Sequence, residues 1–225
     1  MKPRERIGIF GGTFNPIHSG HIRAAVSVQR RFSLDRVLFI PSFIPPHKNT
    51  LDVAPAEDRL AMVRIALGRR RRLLTSALEI EAGGTSYSIR TLGWVRKAYP
   101  RARVFFIMGV DAFLEIETWR EWRRLIDRCS FIVTSRPSYS LRRARRVLDE
   151  SYQSRILVIP KFARIREASL DSGRIFLVPI DALDVSSTKI RRLVRQGRSL
   201  RGLVPRRVEL YIKKRRLYVQ PGRTR

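Results

Sequence analysis

Short runs of apolar residues alternate along the chain with longer stretches in which apolar side chains recur every three or four positions. That alternation predicts parallel strands joined by crossover helices. Arg6 to Gly11 reads as the first strand, closed by Gly11 and Gly12. After an Asn15-Pro16 turn a helix is expected from Ser19 to Arg31, with Ile22, Ala25, Val26 and Val28 on its apolar side. Val37 to Ile40 reads as a second strand. The stretch from Pro41 to Pro55, rich in Pro, Ser, Asn and Asp, is too long for a simple connector and is a candidate substrate loop. Pro55 then opens a helix to Leu67. Leu73 to Ile80 predicts a strand, Ser86 to Ala98 a helix, Val104 to Met108 a fully buried strand and Phe131 to Thr134 another. A helical pattern follows at Leu141 to Leu148, strands at Ile156 to Ile159 and Ile175 to Val178, and helices at Ser187 to Gln196 and Pro205 to Lys214.

Right-handed crossovers through these elements give an α/β fold: a doubly wound, Rossmann-like parallel sheet with helices on both faces and a short C-terminal helical part. A ligand crevice is expected outside the carboxyl ends of its strands. The chain shows no dividing linker, so 1–212 reads as a single domain and 213–225 as a basic C-terminal tail.

Composition changes this picture in one respect. The chain has 225 residues and 44% hydrophobic residues, ordinary for a globular protein, yet 47 Lys and Arg against 19 Asp and Glu give a net charge of +28. Such an excess first suggests nucleic acid. The clusters at Arg69 to Arg72, Arg142 to Arg146, Arg191 to Arg201 and Lys213 to Arg216 are interleaved with folded apolar periodicity, and neither a stacking aromatic pair nor a zinc-finger spacing occurs. An RNA-binding protein is therefore the weaker reading. The single Cys129 excludes an internal disulfide, and the apolar run after Met1 to Arg6 is too short for a signal peptide. With no stretch fit for a membrane helix, a cytoplasmic protein is expected.

The most informative stretch is Gly11-Gly12-Thr13-Phe14-Asn15-Pro16-Ile17-His18-Ser19-Gly20-His21. Neither the dinucleotide glycine fingerprint nor the P-loop pattern is present. The physical task is similar: paired glycines let a backbone approach a phosphate chain, and the following helix start offers free N–H donors. His18 and His21 stand three residues apart at that start, so both can address one anion, and Gly20 removes a side chain that would crowd the approach. Zinc is disfavoured, because only His47 and Cys129 remain as further ligands, and no metal-ligating residue is assigned. A late run, Asp184-Val185-Ser186-Ser187-Thr188, has the hydroxyls of an N-cap before a helix, and Arg191 follows one turn in, where its fork can grip phosphate oxygens.

The first stretch resembles the HxGH signature of the nucleotidylyltransferase superfamily, and Val185 to Arg191 resembles its SSTxIR signature. Further segments are similar to the bacterial nicotinate-nucleotide adenylyltransferases: Pro45-Pro46-His47-Lys48, Gly84-Thr85-Ser86-Tyr87-Ser88, Met108-Gly109-Val110-Asp111-Ala112-Phe113 with Trp119, and Gly197 to Ile212. Two positions depart from the pattern. Asn15 stands where many members carry Asp, and Arg90 where a helix Asp is common.

The resemblance implies transfer of AMP from ATP to nicotinate mononucleotide in NAD biosynthesis. It implies His18, His21 and Arg191 as catalytic residues. Gly11, Gly12, Thr13, Phe14, His18, His21, Gly109, Asp111, Ser187, Thr188 and Arg191 would bind ATP; Lys48, Thr85, Ser86, Tyr87 and Trp119 would bind the mononucleotide, with Trp119 stacked on its pyridine ring. Mg²⁺ would be shared among phosphate oxygens and water. The alternatives are an adenylyltransferase of the same superfamily acting on nicotinamide mononucleotide or phosphopantetheine. ATP and nicotinate mononucleotide are the expected partners, with a homo-oligomer left open and membrane and nucleic acid disfavoured.

Overall fold

The computed structural model describes residues 4–46, 52–137, 139–161, 163, 165 and 173–219. Seven strands form one parallel sheet: β1 (Arg6–Gly12), β2 (Arg36–Pro41), β3 (Leu73–Thr75), β4 (Arg103–Gly109), β5 (Ser130–Thr134), β6 (Ile156–Val158) and β7 (Ile175–Val178). Their order across the sheet is β3-β2-β1-β4-β5-β7-β6. The chain winds outward from β1 in one direction, then returns and winds from β4 in the other. The switch falls between β1 and β4, so their carboxyl ends open the crevice in which such sheets bind ligands.

The near-continuous apolar strands follow from burial on both faces. In β2, Val37 and Phe39 point into one cluster and Leu38 and Ile40 into the other. Phe105 and Ile107 of β4 divide from Phe106 and Met108 in the same way. The first cluster is covered by α1 (Ser19–Arg31), α2 (Ala56–Leu67), α9 (Ser187–Arg195) and α10 (Arg206–Lys214). The second is covered by α4 (Ser88–Ala98), α6 (Trp122–Arg128), α7 (Leu141–Ala144) and α8 (Glu150–Gln153). The expected Rossmann-like, doubly wound parallel sheet is the fold observed.

Two elements differ from the sequence pattern. The strand expected over Leu73 to Ile80 stops at Thr75, and α3 (Leu78–Ala82) follows. Glu79, which in a continued strand would share a face with the core residue Leu73, is instead buried in the helix, where it accepts a hydrogen bond from Thr91 Oγ1. The helix expected over Leu141 to Leu148 ends at Ala144, where Arg142, Arg143, Arg145 and Arg146 place like charges on neighbouring positions. Between β4 and β5, α5 (Val110–Phe113), a 3-10 turn (Ile116–Thr118) and α6 fill a stretch in which the pattern predicted no element. Packing also continues past Ile212: Tyr211 Oη and Arg215 Nε donate to Asp58 Oδ1 of α2 at 2.8 and 3.1 Å, and Leu217 is buried. Among the described residues no helix is long and apolar enough to cross a membrane.

Candidate active site

The glycine turn leaves β1 at the switch point and leads directly into α1. His18 is the N-cap of that helix, and the cap is reciprocal: His21 N donates to His18 Nδ1 at 3.3 Å, and His18 N donates to His21 Nδ1 at 3.2 Å. Two histidines thus build the box that a Ser and a Glu usually build. Their rings stack, with centroids 3.6 Å apart and planes 21° from parallel.

This cap decides the tautomers. A ring nitrogen that accepts carries no proton, so each imidazole bears its hydrogen on Nε2. His18 is buried, and burial first, with the Arg136 charge second, pushes its pKa down to about 3. It is a neutral donor at physiological pH. The space for this stack depends on Gly20, where a Cβ would stand 2.9 Å from Val185 Cγ1 and 3.0 Å from His18 Nδ1. The crowding that Gly20 relieves is therefore between the two signatures as well as toward a ligand.

The second signature is docked on the first. Ser186 caps α9 by accepting from Lys189 N at 3.1 Å. Ser187 Oγ donates to Pro16 O at 2.9 Å, and Arg191 Nη1 donates to Asn15 O at 3.0 Å. Arg191 Nη2 reaches Thr188 Oγ1 at 3.4 Å, while Arg191 Nε is buried with no hydrogen-bond partner among the described residues. Lys189 is held aside in an exposed pair with Asp184, 3.0 Å away.

A cleft opens over the histidines, lined among others by His18, His21, Gly109, Thr134, Arg136 and Val185. It faces the ends of β4 and β5. Asp111, in the first turn of α5, lies at ion-pair distance from Arg136 Nε, 3.1 Å. A Cβ at Gly109 would overlap Asp111 Oδ1 and approach Arg136 Nε to 2.7 Å, so glycine there leaves the pair its room.

The sequence-predicted residues thus fall into groups. Gly11 and Gly12 end β1 beside Ile40 and Pro41 of β2. His18, His21 and Gly109 share the cleft, with Asp111 joined through Arg136; Ser187, Thr188 and Arg191 meet the glycine turn. Phe14 has φ of 48° and a buried ring packed on Phe10, Phe39 and His21, so its side chain supports His21 from beneath and only its main chain is left for a ligand. Thr85, Ser86, Tyr87 and Trp119 do not line that cleft. Thr85 bridges to Ile44, Ser86 Oγ accepts from Phe43 N at 2.9 Å, and the Arg120 guanidinium covers Tyr87 at 4.8 Å. Trp119 meets Phe106 edge to face at 6.1 Å and is half-buried. Lys48 lies outside the described residues.

Three residues carry site structure that sequence reasoning missed. Arg136 follows β5, and the rule that ligands gather at carboxyl ends of strands was the signal available for it. The Asn15 amide spans two backbone groups, donating to Asp52 O at 2.8 Å and accepting from Ala54 N at 3.0 Å. A carboxylate could accept the second bond but not donate the first, which gives Asn15 a physical reason. Arg59 is buried behind the glycine turn and had no sequence signal at all.

A cytidylyltransferase-like family model matches residues 9–193. A probable nicotinate-nucleotide adenylyltransferase of Desulfatibacillum aliphaticivorans is 44% identical, the match covering 95% of this chain and 100% of the relative. One of Thermus thermophilus is 39% identical over 95% of this chain and 99% of its own. Among solved structures, the Plasmodium falciparum nicotinic acid mononucleotide adenylyltransferase complexed with NaAD superposes with a TM-score of 0.73 at 18% identity, covering 96% and 98% of the two chains. The match to it is one of fold.

Proposed function

The chain belongs to the cytidylyltransferase-like family and, within it, to the nicotinate-nucleotide adenylyltransferases, and from that premise we propose how its residues carry the reaction. The enzyme transfers AMP from ATP to nicotinate mononucleotide, forming nicotinate adenine dinucleotide and pyrophosphate. An oxygen of the mononucleotide phosphate bonds to the α-phosphorus of ATP as the bond from that phosphorus to the bridging oxygen of the β-phosphate breaks. The attacking group is a phosphate monoester with a second pKa of about 6, largely ionised at neutral pH, so no general base is required. The task is to bring two polyanions into line and to meet the charge that develops.

One observation carries the assignment: the reciprocal cap that leaves His18 and His21 as Nε2 donors stacked in the switch-point cleft. In this reading the two N–H groups, with the main chain of Gly11 to Phe14 and the Thr13 hydroxyl, bind the ATP phosphates. Neutral donors suit that work, because they keep their hydrogen bonds without requiring a buried cation when the site is empty. Ser187, Thr188 and Arg191 bind the departing pyrophosphate from the α9 side, where the helix start and Arg191 Nε, which has no partner among the described residues, favour an anion. Gly109 and Asp111 take the nucleoside end. Loss of one donor to the developing charge costs about 3 to 4 kcal/mol, a hundredfold or more in turnover.

Lys48, Thr85, Ser86, Tyr87 and Trp119 are proposed for the acceptor, the lysine for its phosphate and the tryptophan for its ring. Mg²⁺ arrives on ATP, as part of that substrate. The residues around the turn fit this better than a protein-held ion: the Asn15 amide is spent on Asp52 and Ala54, and Asp111 is paired with Arg136. Among the described residues no three His, Cys, Asp or Glu side chains converge as a metal cage.

The test is a comparison of kcat/KM with ATP and Mg²⁺ and, in turn, nicotinate mononucleotide, nicotinamide mononucleotide and phosphopantetheine. Nicotinate mononucleotide is expected to be the preferred acceptor. Equal or faster turnover of either rival would overturn the acceptor assignment.

A further inference from the structure

We propose that Arg59 is a positioning residue that locks both ends of the acceptor loop onto the glycine turn, so that loss of its fork weakens use of the mononucleotide before it weakens use of ATP. The proposal rests on the reading that the loop between β2 and α2 serves the acceptor.

Arg59 lies in the first turns of α2 and is 1% exposed. Its guanidinium meets four main-chain carbonyls: Nε donates to Ala54 O at 2.9 Å, Nη1 to Thr13 O at 2.9 Å and Ser42 O at 2.6 Å, and Nη2 to Phe43 O at 2.9 Å. Ser42 and Phe43 are where the chain leaves β2 for the loop, and Ala54 is where it returns to α2. Thr13 belongs to the glycine turn. One side chain therefore ties the loop's entry, its exit and the phosphate-binding turn.

Burying this charge is costly, and desolvation lowers the pKa of Arg59, with the more distant Glu57, Glu79 and Tyr218 acting the other way. What the fold gains is satisfaction of four carbonyls, three just past the ends of β1 and β2 and one ahead of α2, a task that needs several donors in one plane. Lysine offers three donors on one atom and cannot reach the same set.

The network continues on both sides. Toward the acceptor, Phe43 N donates to Ser86 Oγ at 2.9 Å and Ser86 N to Ile44 O at 3.0 Å, so the loop entry that Arg59 fixes is joined to the Thr85 to Tyr87 segment. Toward ATP, Asn15 holds the loop exit through Asp52 O and Ala54 N while its own carbonyl accepts from Arg191. The glycine turn has these further supports, from Ser187, Arg191 and the β1 ladder. Three of the four Arg59 bonds go to the loop ends, at Ser42, Phe43 and Ala54, and one to the turn at Thr13, which makes the acceptor side the one that loosens when the fork is lost.

The experiment compares Arg59→Lys and Asn15→Ala with the parent enzyme by steady-state kinetics in both substrates. A merely destabilised enzyme loses active fraction, which lowers kcat and leaves both KM values where they were. Positioning predicts instead that Arg59→Lys raises KM for nicotinate mononucleotide about tenfold or more with KM for ATP within about threefold, and that Asn15→Ala shifts it in the same direction by less. Unchanged KM for the mononucleotide in folded Arg59→Lys, or a rise confined to ATP, overturns the proposal. Should Arg59→Lys not fold, Asn15→Ala alone decides by the same two outcomes. Failure of the parent enzyme to use nicotinate mononucleotide would instead refute the reading of the reaction, so the two failures are told apart.

Discussion

The neutral state of His18 can be tested through stability. In the unfolded chain its imidazole takes a proton near 6.5, whereas in the folded protein burial and Arg136 push that event down to about 3. Between these values the unfolded state binds a proton that the folded state refuses, so acidification favours unfolding. The contribution is intact above 6.5 and is lost progressively as the pH falls toward 3. The slope is about 1.4 kcal/mol per pH unit, which makes His18 alone responsible for about 2 kcal/mol of lost stability at pH 5.

Other groups titrate over the same interval, and Glu79 works in the opposite direction, because burial raises its pKa and the folded state gains a proton first. The measurement is therefore a difference. His18→Asn keeps an oxygen that can accept from His21 N and so preserves a cap, but has no proton to gain. Urea unfolding of both proteins at pH 7 and pH 5, followed by fluorescence of the three tryptophans, gives the required pair of differences. The wild type should lose about 2 kcal/mol more than the variant on acidification. Losses equal to within about 0.5 kcal/mol would show that folded His18 protonates freely, and the fixed Nε2 donor would go with it.

Gly20→Ala should cost about 1 to 3 kcal/mol of stability and at least about tenfold in kcat, since the new methyl must displace either Val185 or the His18 ring; normal turnover would show that the stack tolerates movement. Arg191→Lys retains the charge but cannot hold both Asn15 O and Thr188 Oγ1, so KM for ATP should rise about tenfold with little change for the mononucleotide. Cys129 is buried, with its thiol pushed well above the usual range, so it should resist an aromatic disulfide reagent in the native enzyme and react at once in denaturant. Rapid native labelling would contradict its place in the core.

The sheet was legible because its strands are buried on both sides, which writes β1, β2, β4, β5 and β7 as unbroken apolar runs. The short helices between Val110 and Arg128 were not, since segments of four to seven residues complete too few turns to show a period. Leu73 to Ile80 misled because apolar residues continue past Thr75, but they recur as pairs four apart, Leu73-Leu74 and Ala77-Leu78, and Glu79 is buried against Thr91 of another helix. At the site, local features could be read. The helix start at Ser19, the caps and the glycines all have sequence signals. Asn15, Arg59 and Arg136 act through partners distant in the chain, and a single sequence holds no trace of those pairings.

The charge of +28 also acquires a physical division that composition concealed. Arg31, Arg59 and Arg191 are directed at main-chain carbonyls: Arg31 reaches Ala163 O, Pro179 O and Pro160 O at 3.3, 2.7 and 2.7 Å, and the other two reach the glycine turn. Each stands where the chain leaves a strand or enters a loop, so that carbonyls no longer have a ladder partner. A planar fork with five donors satisfies several of these at once, and lysine does not. Part of the excess of arginine over lysine is thus a matter of donor geometry. These clamps also differ electrostatically from the exposed clusters. Carbonyls satisfy hydrogen bonds without cancelling net charge, so Arg59 and Arg191 keep a positive field against the turn that is shielded from salt, whereas the surface charges are screened beyond about 10 Å at 0.1 M. Arg59 and Arg191 thus set their charge directly behind the glycine turn, whereas the surface excess acts mainly on the approach of anions from a distance.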